Sequence, residues 1–430
     1  MNILFVTNEL SYRGTPRFLV NCAILARQAG HKALVWGLQE GGAAEKACAE
    51  HGIPVRIGLG ALDDALAFAP HVVHIHRAGG VSDRDTALLR FLKKETGCRV
   101  LETNVFGSAD FTTPDPIDLH AHISRWDLWR WRRWLWPFRR PAINLPYCVD
   151  TAAFRPVPPD AFRRAHGIPR DALVVGRIGK TDWAELRTAL VPALRECPNL
   201  VFVSVNVYSG DAENFAGWPA GCRARVVRVP ALHGADELSA FYSACDLTLN
   251  FSPIGESFGY VVAESMSCGT PVIAYSKPRN DNAQIEIADA REGGYPVRTA
   301  EAARDVILGC VRTPPSPERR ARCRDSIIRR YSLGVFAPRL NLTYRTLAET
   351  KLRGRALERA FARRGFETDI PNAEIAERLN RAQGKSQTVS ERIKMLLAYS
   401  LPNALRLQTI CRRNFPDPIP RELREQLTRD

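Results

Sequence analysis

Twice along this chain, short apolar runs alternate with amphipathic stretches of helical length, and that rhythm leaves few folds open. The first series places strands at 3–6, 33–36, 55–57, 72–75 and 98–101, with helices such as 17–29 and 82–93 between them. Runs that are apolar throughout suit strands buried on both faces, as in a parallel sheet whose crossovers are helices. A second series starts near residue 171, with strands at 172–175, 200–205, 225–229, 247–249 and 271–274. The proline-rich stretch 146–159 between them reads as a linker. At 430 residues the chain exceeds one ordinary core. The expected organisation is α/β: a doubly wound domain over 1–150, a second over 151–350, and a basic helical extension over 351–430 broken at Pro371, Pro402 and Pro416. Ligands on such sheets bind at the carboxyl ends of the strands, so two facing sheets would share one cleft.

Composition narrows the function classes. A hydrophobic share of 45% and a charged share of 25% are those of a soluble globular chain. No run approaches the roughly 20 apolar residues that span a bilayer. The run 3–6 reads as a buried strand rather than a leader, since no basic segment precedes it. Eleven cysteines are scattered without C-x-x-C or a Cys/His cluster at metal spacing, and Cys245 and Cys268 sit in apolar contexts. Reduced, packed thiols and a cytoplasmic compartment are expected. The net charge of +14 favours anionic partners: phosphorylated small molecules, an acidic membrane face or nucleic acid.

The densest chemical signal is 246–275, which reads as strand, loop, helix, a stop at Gly269 and another buried strand. Its loop ends in Ser257-Phe258-Gly259 as a helix begins at Tyr260. Backbone amides at a helix start, helped by the helix dipole, make an anion site, and Gly259 lets a phosphate approach closely. Glu256 and Glu264 bracket that site, and Val175-Gly176-Arg177-Ile178-Gly179-Lys180 ends the first strand of the same domain. Arg177 can fork onto phosphate oxygens, while Lys180 offers a point charge.

With its Gly-Glu256-Ser-Phe-Gly and Ala-Glu264-Ser-Met-Ser-Cys-Gly-Thr-Pro, this stretch resembles the E-x7-E signature of retaining GT-B glycosyltransferases, in particular glycosyltransferase family 4. The likeness runs from residue 1 to about 350. It implies two facing Rossmann-like domains and transfer of a sugar from a nucleoside diphosphate sugar to a hydroxyl of a glycan or lipid-linked acceptor, in cell-surface polysaccharide assembly. It also implies that Glu264 holds the donor ribose, that Glu256 touches the donor sugar, that Arg177 and Lys180 meet the diphosphate, and that no cofactor or metal is required. Lys180 follows Arg177 more closely than the family's lysine does. Around the donor it further implies Ser257, Phe258, Gly259 and Tyr260, and from the first domain Gly14 and Thr15, where only one of the family's paired glycines is kept. Asn104 stands where many relatives have a histidine, and an amide is no base at neutral pH. His76, ending the fourth strand, is a candidate acceptor or sugar contact. The segment 145–156 resembles the family linker, and 331–344 its closing helix.

Residues 125–140 hold five of the eight tryptophans among six arginines. Such a mixture suits a bilayer interface, with rings at headgroup depth and guanidinium groups on lipid phosphates. Trp126, Trp129, Arg130, Trp131, Arg132, Arg133, Trp134 and Trp136 are therefore the expected contacts with an anionic membrane surface on the inner face of the cell membrane. The rings do not segregate onto one helical face, which leaves packing against the C-terminal segment open. Nucleic acid is not expected as a partner. Two alternatives to transfer remain, a catalytically degenerate scaffold or binding protein and a nucleotide-sugar epimerase on the same fold. Paired carboxylates also serve glycoside hydrolases, but their placement around a helix-start phosphate site argues against hydrolysis.

Overall fold

The computed structural model describes residues 1–11, 14–77, 83–107, 115–134, 140–205 and 213–382, with Leu397 and Tyr399. The chain divides into two compact units. One comprises Met1–Tyr147 with Phe336–Ile370, the other Cys148–Val335 with the described residues from Pro371 on.

The first unit is built on a sheet of seven strands: β1 (Asn2–Glu9), β2 (Lys32–Glu40), β3 (Val55–Ile57), β4 (Val72–Arg77), β5 (Arg99–Asn104), β6 (Leu119–His122) and β7 (Ala142–Asn144). Their order is β3-β2-β1-β4-β5-β6-β7, and every pairing is parallel. The five expected strands are present. The short β6 and β7 extend the sheet beyond them, and their polar residues His120, His122 and Asn144 hid them from a search for apolar runs. Leu4, Val6, Leu34, Trp36, Val73, Ile75, Leu88 and Leu92 are among the buried side chains of its core.

The second unit repeats the plan with β8 (Leu173–Arg177), β9 (Leu200–Val205), β10 (Val226–Val229), β11 (Leu247–Asn250), β12 (Val272–Tyr275) and β13 (Tyr295–Val297). These are ordered β10-β9-β8-β11-β12-β13 and are again parallel. In each sheet the order reverses beside the first strand, at β1/β4 and at β8/β11, which creates the crevice where doubly wound sheets take ligands. The core of this unit gathers Val175, Leu190, Phe202, Leu249, Phe251, Ile273 and Ile307.

The chain after residue 350 is shared between the units. Helix Gly354–Arg363 belongs to the first, where Glu358 pairs with Arg132 and accepts the Ala142 amide at 3.3 Å. Helix Asn372–Arg381 belongs to the second, where Arg378 and Arg381 reach Asp289 at 3.3 and 2.7 Å.

Candidate functional site

The site of the second unit is assembled at the carboxyl ends of β8 and β11. Arg177, the last residue of β8, is 1% exposed. Its Nε donates to Ser204 Oγ at 3.0 Å, one terminal nitrogen donates to the Gly179 carbonyl at 2.7 Å, and the guanidinium lies 4.4 Å from the Trp183 ring centroid. Arg177 therefore fastens the turn after β8 as well as carrying charge. Lys180, in that turn, is exposed. Asp182 caps the helix Trp183–Glu196 by accepting from the Glu185 amide, and Lys277 Nζ lies 2.9 Å from both Asp182 and Glu185.

From β11 the chain enters the acidic loop. Gly255 and Glu256 pair in parallel with Asp281 and Asn282 in a two-residue ladder. At Gly255 φ is +74°, and an added Cβ would stand 1.6 Å from the Asp281 carbonyl oxygen, so glycine is required there. Gly259 is left-handed (φ +99°) and turns the chain into the helix Tyr260–Ser267, whose first turn holds no acid and no side-chain cap. That helix start keeps the character of an anion site. Ser257 Oγ donates to Asp281 Oδ2 at 2.7 Å, while Phe258 is buried with its ring 5.4 Å from that of Tyr331. Phe258 thus supports the loop by packing.

The two acids have different surroundings. Asn250 Nδ2 donates to Glu256 Oε1 at 3.0 Å, and the Glu256 amide donates to Gln284 Oε1 at 3.2 Å. Burial raises the Glu256 carboxyl to about 7, overcoming the Asn250 hydrogen bond and the attraction of Lys180, with Asp281 adding a smaller push in the same direction. At neutral pH this group is poised between donor and acceptor. Glu264, 4% exposed, accepts from Tyr242 Oη at 3.2 Å, and burial followed by that carboxylate lifts the Tyr242 phenol well above its usual range. Ser265 Oγ, 2.7 Å from Thr248 Oγ1, ties the helix back to β11. The fold thus gathers Arg177, Lys180, Glu256, Ser257, Gly259, Tyr260 and Glu264 on neighbouring elements of one unit. Asn250, Asp281, Gln284, Ser204 and Tyr242 support them; Asn250 lies within the acidic stretch but was not singled out there, and the other four carried no sequence signal, since each is a lone polar residue outside any motif.

The expected first-unit residues lie at the carboxyl end of the other sheet. Gly14 and Thr15 open the helix Gly14–Gln28. Asn104 ends β5 and is 2% exposed. His76, on β4, is also 2% exposed.

For its described rings, the membrane-facing reading of the Trp/Arg segment is overturned. Trp126, Trp129 and Trp131 are each 1% exposed on the helix Arg125–Trp134, and Arg130 and Arg132 are buried beside them. Arg132 donates to the carbonyls of Thr368 at 2.8 Å and Arg140 at 2.7 Å, while Arg133 reaches the Ile370 carbonyl at 3.2 Å. These three rings fill the interior beside β6, with His122 and Trp131 centroids 4.7 Å apart, and so do not insert into headgroups from this fold. The Trp134 side chain and Trp136 lie outside the described residues. No helix among the described residues is long and apolar enough to cross a membrane.

Residues 169–308 match the family model of the glycosyl transferases group 1. The chain is 38% identical over 143 residues to the D-inositol 3-phosphate glycosyltransferase of Thermobispora bispora, covering 30% of this chain and 33% of that protein. It is 27% identical over 228 residues to the phosphatidyl-myo-inositol mannosyltransferase of Mycobacterium tuberculosis, covering 50% of this chain and 57% of the relative. The matched part thus spans between a third and somewhat over half of these relatives. Among solved structures, a Rickettsia africae glycosyltransferase aligns with a TM-score of 0.66 at 15% identity, over 81% of this chain and 99% of that one. HepE of Anabaena, in complex with UDP and glucose, aligns at 0.61 and 16%, over 81% of this chain and 100% of that one. At such identities the likeness is one of fold, and it agrees with the two Rossmann-like sheets expected.

Proposed function

We propose that this chain, whose residues 169–308 match the glycosyl transferases group 1, moves a sugar from a nucleoside diphosphate sugar to a hydroxyl with its anomeric configuration retained. The observation that carries this reading is the pair Glu256 and Glu264 set around the left-handed Gly259 at a helix start, with Arg177 and Lys180 on the adjoining turn. In this reading Glu264 accepts hydrogen bonds from the ribose hydroxyls, and the protonation of Glu256 near neutrality lets it exchange hydrogen bonds with the donor sugar. The bond from the anomeric carbon to the diphosphate breaks as a bond to the acceptor oxygen forms on the same face. The acceptor proton passes to the departing diphosphate. Lys180, Arg177 and the amides at the start of Tyr260–Ser267 stabilise the charge that develops on that leaving group. The chemistry needs no metal in this scheme. The relatives named for inositol phosphate and phosphatidylinositol, together with the +14 net charge, make a phosphorylated polyol the first acceptor class to test.

The test incubates the chain with UDP-, GDP-, ADP- and dTDP-sugars, with and without a phosphorylated polyol or glycan acceptor. Nucleoside diphosphate release and the anomer of the product are then measured. Acceptor-dependent release with retained configuration supports the proposal. Interconversion of the donor sugar without acceptor makes the chain an epimerase, and absence of nucleotide binding makes it a scaffold.

A further inference from the structure

A cluster invisible in the linear spacing of the sequence forms inside the first unit. Cys22 comes from the helix Gly14–Gln28, His74 and His76 from one face of β4, and all three are buried. The Cys22 Sγ and one ring nitrogen from each histidine lie within 4.8 Å of one another. The two imidazole centroids are 4.2 Å apart. His76 is the informative member. It is 2% exposed, yet among the described residues neither ring nitrogen has a hydrogen-bond partner. A buried imidazole without a partner forfeits the bonds it makes in water, and native interiors rarely leave such a group unused. His74, by contrast, has Nδ1 2.8 Å from Tyr344 Oη and Nε2 2.8 Å from Thr103 Oγ1.

We propose that Cys22, His74 and His76 bind one soft, thiophilic d10 metal ion, Cu(I) or Zn(II), as a structural clamp between the first helix and β4. One thiolate and two imidazoles form a donor set that suits such ions. Metal–ligand distances of about 2.0–2.3 Å place ligand atoms roughly 3.3–3.8 Å apart, so side-chain rotations of about an ångström close the present cluster. Burial already keeps both histidines neutral, the state that coordinates, with His76 lowered to about 3. The Cys22 thiol releases its proton to solvent as the metal–sulfur bond forms. One hydroxyl partner of His74 yields its nitrogen to the ion. The other holds the remaining ring N–H, as outer partners of metal-bound histidines do. A single thiolate neutralises Cu(I) but leaves Zn(II) with one positive charge in an apolar interior, so charge favours Cu(I).

The experiment strips the purified chain with chelator, then loads it with Cu(I) under anaerobic conditions or with Zn(II) in a separate arm. Metal per chain, melting temperature and the X-ray absorption of the loaded protein are read. One bound ion, a shell of one sulfur and two imidazole nitrogens, and a raised melting temperature support the proposal. Cys22→Ser and His76→Phe should each weaken binding at least 100-fold. The absorption measurement needs only the wild-type chain, so it decides even where a variant fails to fold. No stoichiometric ion in either arm, or a shell with two or more sulfurs drawn from other cysteines, overturns it.

Discussion

Replacing Glu256 with Gln isolates the electrostatics of the acidic loop, because the amide keeps the shape of the side chain and still accepts from Asn250 Nδ2. In the folded chain burial lifts this carboxyl from 4.5 to about 7. A raised carboxyl means that the folded state holds its proton more tightly than the unfolded state, so stability is lost as pH climbs through that window. Below pH 4.5 the group is neutral in both states and costs nothing. Above pH 7 it is ionised in both, and the folded state carries the full penalty, about 3 kcal/mol from the gap between the two values. Glu256→Gln should therefore match the wild type near pH 4 and exceed it by up to about 3 kcal/mol at pH 8 without nucleotide. Urea denaturation at pH 4, 6 and 8 measures the difference directly. A stability difference that stays flat with pH would mean that the carboxyl titrates alike in the folded and unfolded chain, and would refute the reasoning. In the proposed reaction the same variant should lose turnover, so a gain in stability would accompany a loss of activity.

Glu264→Ala should weaken nucleoside diphosphate binding by roughly 10- to 100-fold, since hydrogen bonds to a charged group contribute about 1.5–3 kcal/mol, and calorimetric titration with each nucleotide checks it. Gly255→Ala should destabilise the second unit by about 3 kcal/mol or more, because its Cβ collides with the Asp281 backbone where φ is already positive; the urea midpoint reads this. Trp129→Ala should cost about 3–5 kcal/mol of stability by opening a cavity in the first unit, while leaving vesicle co-sedimentation unchanged. A folded Trp129→Ala chain that loses affinity for anionic vesicles would return that segment to the surface.

Much of this protein is determined locally and could be read along the chain. The strands are apolar on both faces and the crossovers amphipathic, so the parallel doubly wound plan follows from periodicity alone. The acidic loop is legible for a similar reason. The turn into the helix needs a left-handed residue, supplied by Gly259, and the two acids stand at a fixed distance on either side of it. What the sequence could not show is who meets whom across long separations. The Trp/Arg segment looks like a membrane surface in isolation, yet Arg132 and Arg133 find Glu358 and the carbonyls of Thr368 and Ile370, more than 200 residues further on, and Trp126, Trp129 and Trp131 become core. Asp281 and Gln284 hold the acidic loop without belonging to any motif, and Cys22 meets His74 and His76 only because a helix packs on β4. Side-chain type sets what a residue can do. Burial decides what it does, because removal from water turns a surface arginine into a buried donor, a carboxylate into a group that titrates near neutrality, and a solvated imidazole into a ligand without a partner.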